Sequence, residues 1–78
     1  MTEGKVQAKR IKELEAEGYY VIKLLKTNKN GIPDLIAVKP DEVLFSEVKT
    51  SKGRLSALQE YRLKELEGLG FKTEVYKG

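Results

Sequence analysis

Apolar and polar positions alternate in two rhythms along the 78 residues of this chain. From Glu3 to Glu17 the apolar residues Val6, Ile11 and Leu14 share one side of a helix drawn at about 100° per residue. Thr2 is a suitable N-cap and Gly18 a suitable stop, so the spacing predicts a helix over Glu3–Glu17. Glu3 and Gln7 project from the middle of the same stripe, which places a carboxylate on the core-facing side. A plainer reading leaves Glu3 in a frayed first turn, favoured there by the helix dipole.

The rhythm then changes. Tyr19–Lys26 is rich in β-formers and predicts a strand, and 27-TNKNGIP-33 predicts an exposed loop. Two alternating runs flank Lys39-Pro40-Asp41-Glu42, where Pro presets the backbone for a turn, so they predict a hairpin. With the turn centred on Pro40 and Asp41, Val38 faces Val43, Ile36 faces Phe45 and Asp34 faces Glu47, all on one side. Leu35, Ala37, Leu44, Ser46 and Val48 take the other side. Both sides are largely apolar, which predicts cover on both. A one-residue slip would break the Asp34–Glu47 pair.

After the basic segment 49-KTSKGR-54, Ser56-Ala57-Leu58-Gln59 has capping-box spacing and opens a second helix. Leu58, Tyr61, Leu66 and Leu69 form its predicted buried stripe, flanked by Gln59, and Gly68 and Gly70 end it. The alternating run 71-FKTEVYK-77 predicts a last strand, returning beside the central one through a right-handed crossover. The order is αβββαβ: an α/β, mixed α+β architecture with helices packed on a mixed sheet. The length suits one domain, residues 1–78, with a thin core that association would help.

Composition narrows the chemistry. There is no Cys and no His, so disulfides, thiolate metal sites and His-based catalysis are excluded. A reducing, cytoplasmic compartment fits, and neither a signal-peptide core nor a membrane-spanning run is present. The net charge of +3 is compatible with a polyanionic partner. Hydrolysis by such a chain must rest on carboxylates, lysines, hydroxyls and a hard metal ion bound through oxygen.

The Asp34–Glu47 pair supplies such a place. Like charges directly opposite on a sheet cost roughly 0.2–1 kcal/mol, and apolar neighbours raise the cost. A bound proton, the nearby Lys49, or a divalent cation would offset it. Mg²⁺ commonly takes one or two carboxylates, and the backbone carbonyl of Val48 could add a third protein oxygen. Glu3 could complete the shell directly or through water. Lys49 could then orient or help deprotonate an attacking water and stabilise charge on phosphate. Lys29, Lys52 and Arg54 in the loops would grip a phosphate backbone. The competing structural reading is a hairpin whose charges sit at its open, solvated end.

The segments Gly31–Ile36, Leu44–Lys49 and Gly53–Gln59 together resemble the VRR-NUC domain of the PD-(D/E)xK nuclease superfamily. The resemblance runs over nearly the whole chain. It implies a restriction-endonuclease-like αβββαβ core and Mg²⁺- or Mn²⁺-dependent hydrolysis of DNA phosphodiesters. By position, Asp34 and Glu47 match the metal-binding acids, Lys49 the catalytic lysine and Glu3 the acid of the first helix. Gln59 matches the glutamine of the second helix, a supporting role compatible with its place in the capping box. Stand-alone relatives resemble dimeric junction resolvases, which implies a homodimer acting on branched DNA in replication, repair or recombination. The alternative is a non-catalytic nucleic-acid-binding module that keeps the nuclease fold.

Overall fold

The computed structural model describes residues 1–78 and has the order α1 (Glu3–Ala16), β1 (Tyr20–Lys23), β2 (Leu35–Lys39), β3 (Glu42–Lys49), α2 (Ala57–Gly68) and β4 (Lys72–Lys77). The strands form one mixed sheet, β1-β2-β3-β4, antiparallel except for the parallel β3–β4 pair. The anticipated αβββαβ order is thus the observed one. No helix is long and apolar enough to cross a membrane.

Local chemistry sets the boundaries. Thr2 Oγ1 accepts the Lys5 N–H at 3.3 Å and caps α1. Both helices end on a glycine at φ +95°, Gly18 and Gly70. Tyr19 N–H reaches Leu14 O and Phe71 N–H reaches Leu66 O across these ends, the six-to-one bond of a Schellman motif. β1 is shorter than the predicted Tyr19–Lys26; one further bond, from Leu24 N–H to Asp34 O at 2.8 Å, follows it before the chain leaves the sheet.

The hairpin has the expected register: Val38 opposite Val43, Ile36 opposite Phe45, Leu35 opposite Ser46. Asp41 takes φ +62°, the left-handed value that the third position of a type II turn after proline requires.

α1 lies on the side of Leu35, Ala37, Leu44 and Val48. These residues, with Val6 and Leu14, make the core. Buried Ser46 on this side donates to Glu74 Oε2 at 2.6 Å, and Arg10 clamps the same carboxylate at 2.8 and 2.7 Å. Arg10 also stacks over Tyr76 and reaches Glu13, so a charged clasp ties α1 to β4. Part-buried, bidentate and shared, it is stronger than an isolated surface pair.

The second side differs from expectation. α2 packs over β4 and leaves β1 and β2 uncovered, so the hairpin is not sheltered on both faces. Leu63, outside the predicted stripe, is the buried residue of α2. Leu58, Tyr61 and Leu69 keep 41, 57 and 69% of their surface exposed. Periodicity located an apolar stripe correctly but not the face that meets the sheet.

Candidate active site

The site begins with two strand ends brought level by the hairpin register. One step beyond Leu35–Ser46, Asp34 stands opposite Glu47. Buried Pro33 precedes Asp34, and the bond from Leu24 N–H to Asp34 O fixes its main chain. The Asp34 carboxylate reaches across the ladder and accepts the Val48 N–H at 2.8 Å from Oδ2. The side chain thus replaces a strand partner and holds the carboxylate against β3.

Glu47 is 1% exposed, an uncommon position for a carboxylate. Burial, then repulsion from Asp34, then a hydrogen bond shared with Asp34, push its carboxyl up to about 8. Lys49 pulls the other way, with Nζ 3.7 Å from Glu47 Oε2. Without a metal, Glu47 therefore holds its proton more tightly than an ordinary carboxyl.

Gln59 holds the same oxygen from above. Its Nε2 donates to Glu47 Oε2 at 3.3 Å while its Oε1 accepts the Ser56 N–H at 2.9 Å. Ser56 Oγ in turn accepts the Gln59 N–H at 3.1 Å. The capping box and the link to Glu47 use different atoms of one amide. The expected capping role is present, and the cap fixes which way the amide points, so that its other end meets Glu47.

Lys49 is set by a residue that sequence reasoning passed over. A Cβ on Gly53 would lie 3.1 Å from Lys49 Cβ and 3.3 Å from both Lys49 Cδ and Thr50 O. The turn after β3 closes on the lysine because Gly53 leaves room. We expect Gly53→Ala to displace the ammonium and slow any reaction that uses it by about 10-fold, a shift of about 1.4 kcal/mol in barrier. Thermal melting of the variant alongside single-turnover rates checks that the loss lies in rate rather than fold. Gly31, at φ +78° with Leu58 Cγ only 2.7 Å from a built Cβ, similarly lets the loop before Asp34 touch α2. Both glycines open segments that carry the family resemblance, but the contact each one permits is with a neighbour that local sequence does not reveal.

Not every expected residue joins the cluster. Glu3 does not face the core. Its side chain is exposed in the first turn of α1, where the helix projects past its first buried residue, Val6. Its charge reaches Glu47 only as the smallest of the repulsions there. No three metal-ligating side chains come together, so the protein's preformed donor set is the Asp34–Glu47 pair. Val48 contributes its N–H to Asp34 and its side chain to the core. Lys29, Lys52 and Arg54 are exposed, Lys29 beside Lys26 and Asn30 on the loop that leads to Asp34.

Two acids on adjacent strand ends, a lysine two residues after the second, and a mixed sheet with a helix on each face define a nuclease-fold domain. The family comparison is equally direct. The model of the VRR-NUC domain matches residues 2–78, and the chain belongs to that family. A solved structure described as a "VRR_NUC domain" is 28% identical, with a TM-score of 0.82 over 97% of this chain and 83% of that one. No curated protein matches it.

The donor set suits the divalent ion that the family implies. A buried carboxyl whose pKa is raised by burial and by a half-buried acid beside it is what a hard dication would relieve, and Mg²⁺ needs no more than one or two carboxylates.

Proposed function

We propose that this chain is a metal-dependent deoxyribonuclease, an endonuclease hydrolysing phosphodiester bonds in branched DNA as a homodimer with Mg²⁺ or Mn²⁺. One observation carries the reading: buried Glu47 is held beside half-buried Asp34, with Lys49 and Gln59 on one oxygen of Glu47. A fully buried carboxyl set against a second, half-buried acid is an expensive arrangement for a purely structural hairpin end. Lys49 alone is a poor reason for it, since at 3.7 Å it leaves Glu47 with a raised pKa.

Asp34 and Glu47 would hold the ion, with the Val48 carbonyl as a further oxygen and Glu3 reaching it only through water. When bound, the ion supplies Lewis-acid polarisation of the phosphate and an activated water. The chain's own residues do the rest. Gln59 keeps Glu47 in one orientation. Lys49, 13% exposed in its side chain, presents its ammonium beside the pair, where it can orient water and stabilise negative charge building on the phosphate. Lys29, Lys52 and Arg54 sit on exposed loops and would hold the backbone of the DNA, giving binding that weakens with salt. Nothing in these loops reads base edges, so shape rather than sequence would select the substrate. Two copies related by a two-fold axis would present two sites to two strands of a junction.

Asp34→Asn tests the reading. The amide oxygen can still accept the Val48 N–H, so the fold should persist, but one carboxylate is gone. We expect cleavage with Mg²⁺ to fall at least about 100-fold while metal-free binding to the same DNA changes little. Unchanged cleavage would refute the site. Binding without cleavage by the wild type would favour the non-catalytic module.

A further inference from the structure

We infer that Lys77 and Arg54 form a second phosphate site beside Lys49, which holds a neighbouring phosphate of the strand being cut and carries that strand out over the end of β4. The proposal rests on the nuclease reading above and adds a path for its substrate.

The sheet sets lysine against lysine much as it sets acid against acid. β4 runs parallel to β3, and its partners step from Glu47–Val75 to Lys49–Lys77. Residues paired in this way point to the same side of the sheet, and residues two apart stay on that side. Gln59 of α2 meets Glu47 on this side, and Val75 shares a hollow with Leu63 and Lys64 of α2. Lys77 therefore lies on the site's side of the sheet, one strand over from Lys49. Gly78 N–H donates to Lys49 O at 3.1 Å, so the ladder continues past Lys77 and holds the two lysines level.

Like charges directly opposite on a sheet repel. Lys49 has Glu47 at 3.7 Å, whereas Lys77 takes part in no ion pair. Arg54 takes part in none either. Arg54 and Lys77 are both exposed and line one hollow with Leu55, Glu60 and Val75. Glu60 is the one acid of that lining. It stands in the first turn of α2, where the helix dipole favours a carboxylate, and it pairs with neither cation. Two cations against one acid leave the hollow positive and open to an anion.

A phosphate suits the hollow in charge and in position. Neighbouring strands stand about 4.8 Å apart. One DNA strand carries a phosphate about every 3.4 Å along its axis. A strand laid across the sheet end, over Glu47 and Lys49, therefore brings a neighbouring phosphate to the end of β4. Arg54 offers a planar fork of N–H donors and Lys77 a point charge, two complementary ways of holding phosphate oxygens. An acidic peptide would meet the same cations. The hollow, however, adjoins a lysine already assigned to the scissile phosphate, which favours nucleic acid.

Binding in EDTA tests this site without cleavage, so its failure is separate from failure of the nuclease reading. The probe is a short fluorescent DNA duplex titrated over a range of salt. Each phosphate contact contributes about 0.9 to the slope of log K against log salt. Lys77→Ala and Arg54→Ala should each lower the slope by about 0.9 and weaken binding about 8-fold at about 0.1 M salt. Lys77→Arg should keep most of both. Lys12→Ala, exposed on α1 across the sheet, should change neither. The melting temperature of Lys77→Ala should not fall, because a like-charge contact is relieved; a purely structural role would lower it. Acetylation should modify Lys77 in the free protein, and the duplex should protect it while Lys12 reacts equally with and without DNA. An unchanged slope in Lys77→Ala, or acetylation of Lys77 undiminished by DNA, would overturn the site. Protection of Lys77 by polyglutamate and not by the duplex would also overturn it, and would assign the hollow to an acidic protein.

Discussion

Lys49→Ala should lower phosphodiester cleavage by about 10²–10⁴-fold, the range over which a positioned proton-transfer or charge-stabilising group acts. The fold should survive. The lysine's single ion pair is to Glu47, at 3.7 Å, and Glu47 without it simply holds its proton more firmly. Binding of DNA through Lys29, Lys52 and Arg54 should persist, since all three side chains are exposed and unaltered in the variant. The loss should therefore fall on turnover rather than affinity, which single-turnover rates at saturating protein would show. Lys49→Arg should not rescue it fully, because the guanidinium cannot release a proton.

The second large effect is on stability and needs no substrate. With its pKa at about 8 in the folded chain against an ordinary 4.5, Glu47 binds its proton more tightly folded than unfolded. Metal-free stability should therefore be greatest below pH 4.5 as far as this group is concerned. It should fall as pH rises from 4.5 to 8, where the folded state must give up the proton. Glu47→Gln mimics the protonated form: its amide can donate to Asp34 and still accept from Gln59. At pH 8 we expect the variant to be more stable than the wild type by about 1–3 kcal/mol, the scale of an ill-satisfied buried polar group. The advantage should vanish near pH 4, where Glu47 is already protonated. Urea melts of both proteins at the two pH values check this. A variant less stable than wild type at pH 8 would show that Glu47 serves a structural ion pair with Lys49. Adding Mg²⁺ should stabilise the wild type and not the variant, because only the wild type offers two carboxylates.

Much of this was legible in the chain itself. The Pro40–Asp41 turn fixes the hairpin register, and the register alone brings Asp34 to Glu47, so the centre of the site could be read without coordinates. Gln59 was readable because a capping box has fixed spacing. What escaped notice depends on neighbours distant in sequence. α2 carries apolar residues on two sides, and periodicity cannot say whether Leu63 or Leu58 meets the sheet. Glu3 lies on the helical extension of a real stripe, but the core ends at Val6. Gly53 matters only because the chain folds back on Lys49.

The most direct measurement is cleavage of labelled four-way junction, flap, duplex and single-stranded DNA with Mg²⁺, Mn²⁺ or EDTA, using wild type and Lys49→Ala side by side. The account predicts cutting by the wild type alone, only with a divalent ion, and fastest on a branched substrate. Equal cutting by Lys49→Ala, or cutting in EDTA, would contradict it.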